Sequence, residues 1–235
     1  MRSSYIRNNY GNLIRALVKV TSPKCCVEVG VLDGFSTIII GHTLKELSAN
    51  NSEDEGRCIL FAYDLFEQYP YTHSKYADVQ TRIDKFGLNE FIYLKQKDLY
   101  DAVHDFKPDS IDFMHIDISN TGEIIKNVLN DWDEKIRPGG ILLFEGGSPF
   151  RDEVSWMKHF NKRKMGEEII LNHTLKTEYT SIVLHPYPSM LICSKNINVD
   201  QELWEKFDYG NFDDGGKHGE IDDNELLRML SGNNL

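Results

Sequence analysis

The chain has 235 residues, 40% hydrophobic and 27% charged, with 37 Asp and Glu against 26 Lys and Arg and a formal net charge of -11. That length suits one sizeable α/β domain with a full core, or at most two small ones. The acidic balance, with only the short basic run Lys162-Arg163-Lys164, weighs against nucleic acid, whose binders show a basic face, and no apolar run reaches membrane-spanning length.

The first twenty residues, MRSSYIRNNYGNLIRALVKV, lack the apolar core of a signal peptide. Tyr5 to Val20 reads as a helix instead, because Ile6, Tyr10, Leu13 and Leu17 recur at helical spacing, widened by Ile14 and Val18. Pro23 breaks it before a buried strand, Cys25 to Val29, in which Glu28 interrupts the apolar run. Gly30 and Gly34 follow, then Ser36, Thr37 and the apolar Ile38-Ile39-Ile40: strand, glycine turn, helix start. Glycines there let backbone pass close to a ligand. Ser36 or Thr37 can cap a helix whose free N–H groups favour polar or anionic partners. A tight turn with nothing bound is the plain alternative. Leu32 and Phe35 stand where a dinucleotide fingerprint needs its second and third glycines.

The helix continues over Thr37 to Ala49, the stretch from Ala49 to Gly56 reads as a polar loop, and Arg57 to Tyr63 as the second strand. Asp64 stands at its carboxyl end, where ligands gather in open α/β sheets and where a carboxylate can accept from a ribose diol or simply cap a turn. A helix is expected over Thr72 to Phe86, and a third strand over Phe91 to Leu94 with Asp98 just beyond it. The fourth strand is Ile111 to Ile116, ending at Asp117. Asn120 and Glu123 are spaced as a capping box before a helix carrying Ile125, Val128, Leu129 and Trp132. Arg137-Pro138-Gly139-Gly140 marks a turn into a fifth strand, Ile141 to Phe144, which ends at Glu145, Gly146 and Gly147. Ser148-Pro149 fits a helix cap, and the next helix carries Val154, Met157 and Phe160. Thr180–Leu184 and Met190–Ser194 are expected as two more strands, hairpinned through His185-Pro186-Tyr187-Pro188. After Asn196 the chain turns acidic, with short helices expected near Asp200–Phe207 and Asn224–Leu230. The domain reading is therefore 1-22 as an N-terminal helix, 23-195 as the main domain and 196-235 as an acidic extension. Cys25, Cys26, Cys58 and Cys193 contain no CxxC pair, which argues for free buried thiols in a reducing, cytoplasmic setting.

The set Glu28-Val29-Gly30-Val31-Leu32-Asp33-Gly34, Asp64, Asp98, Asp117 and Arg137 to Leu143 resembles the class I S-adenosylmethionine-dependent methyltransferases. His115-Ile116-Asp117, followed by a helix and the PGG strand, is similar to their branch of sugar and small-molecule O-methyltransferases. The resemblance covers about Pro23 to Ser194. It implies a Rossmann-like, doubly wound, seven-stranded, mostly parallel sheet with the last strand antiparallel. It places S-adenosylmethionine across Glu28, Gly30, Gly34 and Ser36, with Asp64 on the ribose, Leu65 beside the adenine, Asp98 and Leu99 on its amino group and ring, and Asp117 at the methyl-transfer end. Relatives often carry an acid and a histidine base after that aspartate; here Ser119 and Asn120 stand there. His115 is the nearest alternative base, against its reading as a hydrogen-bonded core histidine. Magnesium-dependent relatives add a ligand pair after the fifth strand, where this chain has Glu145 then Gly146, so Asp117 and Glu145 would supply only two oxygens and the balance lies against a metal. The implied activity is methylation of a small hydroxylated acceptor such as a sugar derivative, with a homo-oligomer left open. A cofactor-binding module without turnover and a nicotinamide-dependent oxidoreductase are the alternatives.

Overall fold

A computed structural model describes residues 1–50, 57–71, 73–185 and 188–196. The expectations for most of the polar loop, for Pro186 and Tyr187, and for the acidic extension lie outside the described residues. The strands are β1 (Cys25–Val29), β2 (Ile59–Asp64), β3 (Ile92–Gln96), β4 (Ile111–Ile116), β5 (Ile136–Glu145), β6 (Tyr179–Leu184) and β7 (Met190–Lys195). They form one seven-stranded sheet in the order β3-β2-β1-β4-β5-β7-β6. β1 to β5 pair in parallel, and β7 runs antiparallel to both β5 and β6, as the family resemblance implied. The order reverses between β1 and β4, the switch point where open sheets of this kind leave a crevice at their carboxyl ends.

Helices cover both faces. On one, α1 (Tyr10–Thr21) and α2 (Phe35–Asn50) bury Ile14, Val18, Ile40 and Leu44 against Cys26, Leu60 and Phe113. On the other, α5 (Gly122–Asp131) buries Ile125, Val128 and Leu129 with Trp132 against Val27, Met114 and Leu142. Every residue of β4 is buried, including Asp112 and His115. Asp112 accepts from the Lys24 and Cys25 amides at 2.8 and 2.6 Å and pairs with Arg137, tying β1 to β4 at the edge away from the crevice.

Several local expectations are corrected. The N-terminal helix is not continuous: a 3-10 turn (Ser4–Arg7) precedes α1, and Asn9 breaks the two with φ +60, a left-handed conformation that asparagine tolerates. The break exposes Ile6 and buries Tyr5, reversing the expected face. The capping box does not form. Thr121 holds the cap position without a side-chain bond, Asn120 sits at φ +39 with its amide turned to Glu145, and Glu123 accepts from the Arg163 amide at 3.0 Å. α3 (Tyr76–Lys85) starts later than expected. The Arg137–Gly140 stretch lies inside β5, where the β4 pairing shifts register and Gly139 takes φ +78. Ser148 does cap α6 (Pro149–Asp152), accepting from the Arg151 amide at 3.3 Å.

Candidate active site

The glycine turn owes its shape to the protein's own backbone. Gly30 has φ +95, and a Cβ there would lie 2.1 Å from the Asp117 carbonyl oxygen, so only glycine lets β1 leave the sheet beside β4. A Cβ on Gly34 would meet Val79 at 3.2 Å. Asp64 closes the turn from below. One carboxylate oxygen accepts from the Val31 and Leu32 amides at 2.7 and 3.0 Å, the other from the Phe66 amide at 2.8 Å. These three bonds leave about one of its roughly four lone-pair positions free. Asp98 caps α4 (Leu99–Ala102) by accepting from the Tyr100 amide at 2.9 Å, while Leu99 is buried in the core with Val103 and Trp132. Leu65 is half-buried and its carbonyl accepts from Gln96 at 3.0 Å. Ser36 is buried at the start of α2.

The other half of the crevice is a buried polar network. Glu28 and His115 are partners in register on β1 and β4, both with no exposed surface. Thr37 donates to one Glu28 oxygen, and the other lies 3.1 Å from His115 Nδ1. The Glu28 carboxylate accepts a hydrogen bond from Nδ1–H, which leaves Nε2 as an acceptor for the Tyr5 hydroxyl 2.9 Å away. The Asp117 carboxyl lies close to that hydroxyl. A protonated His115 would reverse the bond and direct the Tyr5 proton to Asp117. Burial and the Asp117 and Glu145 carboxyls push the Tyr5 phenol well up, so it stays a proton donor.

Asp117 and Glu145 lie close together at the ends of β4 and β5, near enough for each charge to act on the other. The Asn120 amide donates to Glu145, and Ser4 Oγ approaches it at 3.5 Å. Burial raises the Asp117 carboxyl against the opposing pull of His115, Tyr5 and Asn120. Burial and the Asp117 charge push Glu145 up to about 8. Among the described residues no cluster of three or more His, Cys, Asp or Glu could hold a metal ion. Glu28, Asp117 and Glu145 together concentrate carboxyl groups at adjacent strand ends, and no ion pair to Lys or Arg within 4 Å joins them among the described residues. A ligand carrying positive charge fits that donor set.

The segment before α1 runs over this network as a strap. Arg2 grips Asp33 of the glycine turn with its backbone amide and side chain at 2.7 to 3.1 Å, and Ser74 donates to the same carboxylate. Asn8 donates to the Pro188 carbonyl at 2.6 Å. Arg2 and its partners hold the Asp33 carboxyl well below the usual range. The structure thus brings Glu28, His115 and Asp117 together, and leaves Asp64, Leu65, Asp98 and Leu99 along the β2–β3 side. Tyr5 and Ser4 were not legible as site residues, because their partners lie more than a hundred positions away and their only local signal was a helical period that pointed the other way.

A family model described as a methyltransferase domain matches residues 27–145, half of the chain. The chain belongs to this methyltransferase family. Its fold agrees. An O-methyltransferase of Bacillus cereus solved with S-adenosylhomocysteine superposes with a TM-score of 0.60 at 15% identity over 80% of this chain and 81% of that one. A methyltransferase of Podospora anserina, also solved with S-adenosylhomocysteine, gives 0.59 at 11% identity over 84% and 80%. An O-methyltransferase of Streptomyces achromogenes solved with S-adenosylmethionine gives 0.55 at 12% over 80% and 80%. At such identities the likeness concerns the fold. No curated protein sequence matches the chain. By family and fold this is a class I S-adenosylmethionine-dependent methyltransferase. No helix among the described residues is long and apolar enough to cross a membrane.

Proposed function

We propose that this methyltransferase methylates a hydroxyl oxygen of a small acceptor, a sugar derivative being the class suggested by the sequence resemblance. The observation that carries the reading is the set of buried Glu28, His115, Tyr5 and Glu145 with half-buried Asp117 at the switch point of the sheet. S-adenosylmethionine supplies an electrophilic methyl group on a cationic sulfonium centre. The carboxyl-rich crevice suits that cation, and the glycine turn, Ser36, Asp64 and Asp98 line the path assigned to the rest of the cofactor. Asp64 would add a ribose hydroxyl to the backbone amides it already holds.

Methyl transfer to oxygen needs an acceptor aligned with the donor and a group to take its proton. Asp117 takes that proton, and Tyr5 connects it to His115, whose Nδ1 is fixed by Glu28. His115 itself has no exposed surface, so it acts through Tyr5 and not on the acceptor directly. The 3-10 turn that carries Tyr5 must move or stay seated as the acceptor enters. The test is transfer of labelled methyl groups from S-adenosylmethionine to a panel of sugars, phenols and carboxylic acids. Label on an ether oxygen, reduced sharply in Asp117→Asn, supports the reading. Cofactor binding without transfer to any acceptor would favour a binding module of the same fold.

A further inference from the structure

Arg151 stands apart from the other arginines that structure the domain. Arg2, Arg15, Arg57, Arg137 and Arg163 each face a carboxylate, and each is a third or more exposed. Arg151 is only 7% exposed, yet among the described residues no carboxylate lies within ion-pair distance of its guanidinium and no group accepts a hydrogen bond from it. None of its nitrogens is among the fully buried atoms left without a partner, so its N–H donors stay within reach of a ligand at this edge of the sheet.

The side chain is held in place without one. It follows Ser148-Pro149 at the start of α6, directly after β5, on the crevice edge of the sheet. Its stem packs at Gly146, where an added Cβ would lie 3.5 Å from Arg151 Cγ. Its guanidinium carbon lies 5.1 Å from the centre of the Trp156 ring. A cation–π contact uses none of the N–H donors, so the fork that matches carboxylate and phosphate oxygens stays available. Its positive charge acts on Glu145 at the end of β5.

We propose that Arg151 binds an oxyanion, a carboxylate or phosphate, carried by the methyl acceptor. This rests on the methyl-transfer reading. An anionic acceptor entering beside the carboxyl groups of Glu28, Asp117 and Glu145 needs a compensating positive charge, which Arg151 supplies. Arg151 is a specificity residue that touches the substrate away from the reacting oxygen.

The experiment measures thermal unfolding of the full chain saturated with S-adenosylhomocysteine, with inorganic phosphate or benzoate added against chloride at matched ionic strength. The unaltered protein should gain several degrees beyond the chloride control, in a concentration-dependent way. Arg151→Met should lose the gain, and Arg151→Lys should keep part of it. Because nothing in the described residues pairs with the guanidinium, Arg151→Met without added anion should melt no lower than the parent. No gain over chloride in the unaltered protein, or an equal gain in Arg151→Met, would overturn the proposal. A melting temperature of Arg151→Met several degrees below the parent would mark a structural role and overturn it as well. Loss of the S-adenosylhomocysteine response in Arg151→Met would show that the cofactor's own carboxylate is the anion, which also removes an acceptor site. Failure of the methyl-transfer reading shows separately, as no response to S-adenosylhomocysteine in the unaltered protein.

Discussion

The two halves of the crevice handle their polar groups in opposite ways. On the β1–β2–β3 side, acids are satisfied by nearby backbone: Asp64 holds the Val31, Leu32 and Phe66 amides, and Asp98 caps α4. On the β4–β5 side, polar side chains face one another at long sequence separation: Glu28 with His115, His115 with Tyr5, Asn120 with Glu145. The first half is a scaffold whose carboxylates hold the turn open in one shape. The second keeps a carboxyl pair raised by burial and a guanidinium without a carboxylate, the condition of groups that are completed by a ligand.

The contrast can be broken from either side. The largest effect is expected at Asp117. Asp117→Asn should lower methyl transfer by about 10²- to 10⁴-fold, the usual worth of a general base, while S-adenosylhomocysteine binding changes little. A matching loss of binding, seen by calorimetry, would assign Asp117 to the cofactor. Asp64→Ala should act on stability first, costing about 2–4 kcal/mol in urea unfolding because three amide donors lose a charged acceptor in a half-buried turn. A loss below about 0.5 kcal/mol would mean the turn keeps its shape without Asp64.

Glu145 sharpens the comparison through pH. Its carboxyl is raised from 4.5 to about 8 in the folded chain, so the native state holds a proton that the unfolded chain releases. Stability from this group is fully present below pH 4.5 and is lost as pH rises towards 8. Glu145→Gln, which keeps the shape of the protonated acid, should flatten the melting temperature across that range and exceed the parent at its upper end. An unchanged pH profile would show that the pair is hydrated and open.

The smallest effect is expected at the strap. Arg2 is more than half exposed, so Arg2→Ala should cost under about 1 kcal/mol of global stability. It should nevertheless speed hydrogen exchange of the amides around Tyr5, because Arg2 is the strap's anchor on Asp33. Equal exchange in both proteins would place the anchor elsewhere, at Tyr5 or Asn8.

The same contrast explains what was legible. The antiparallel β7 came only from the family resemblance, whereas the strands were legible as short apolar runs that end in Gly, Asp or Glu, signals carried within a few residues. Ser148-Pro149 could be read as a cap for the same reason. The capping box at Asn120 failed because its side chain turns to donate to Glu145 instead of offering its oxygen to the helix amides. The helix through Tyr5 failed because Asn9 admits a left-handed break, which let a buried histidine more than a hundred positions away claim the phenol. Glu28 and His115 were each conspicuous as polar residues in apolar strands, but their pairing needed the β1–β4 register. Arg151 carried no sequence signal at all, since its meaning lies in the absence of a carboxylate partner among the described residues.

The central claim is that this crevice holds S-adenosylmethionine. It is tested most directly by thermal unfolding with S-adenosylhomocysteine or NAD, each with and without magnesium. At about a hundred times its dissociation constant, S-adenosylhomocysteine should stabilise the protein by roughly 2.7 kcal/mol, with no shift from NAD and none added by magnesium. A shift with NAD, or none with S-adenosylhomocysteine at millimolar concentration, would contradict the account.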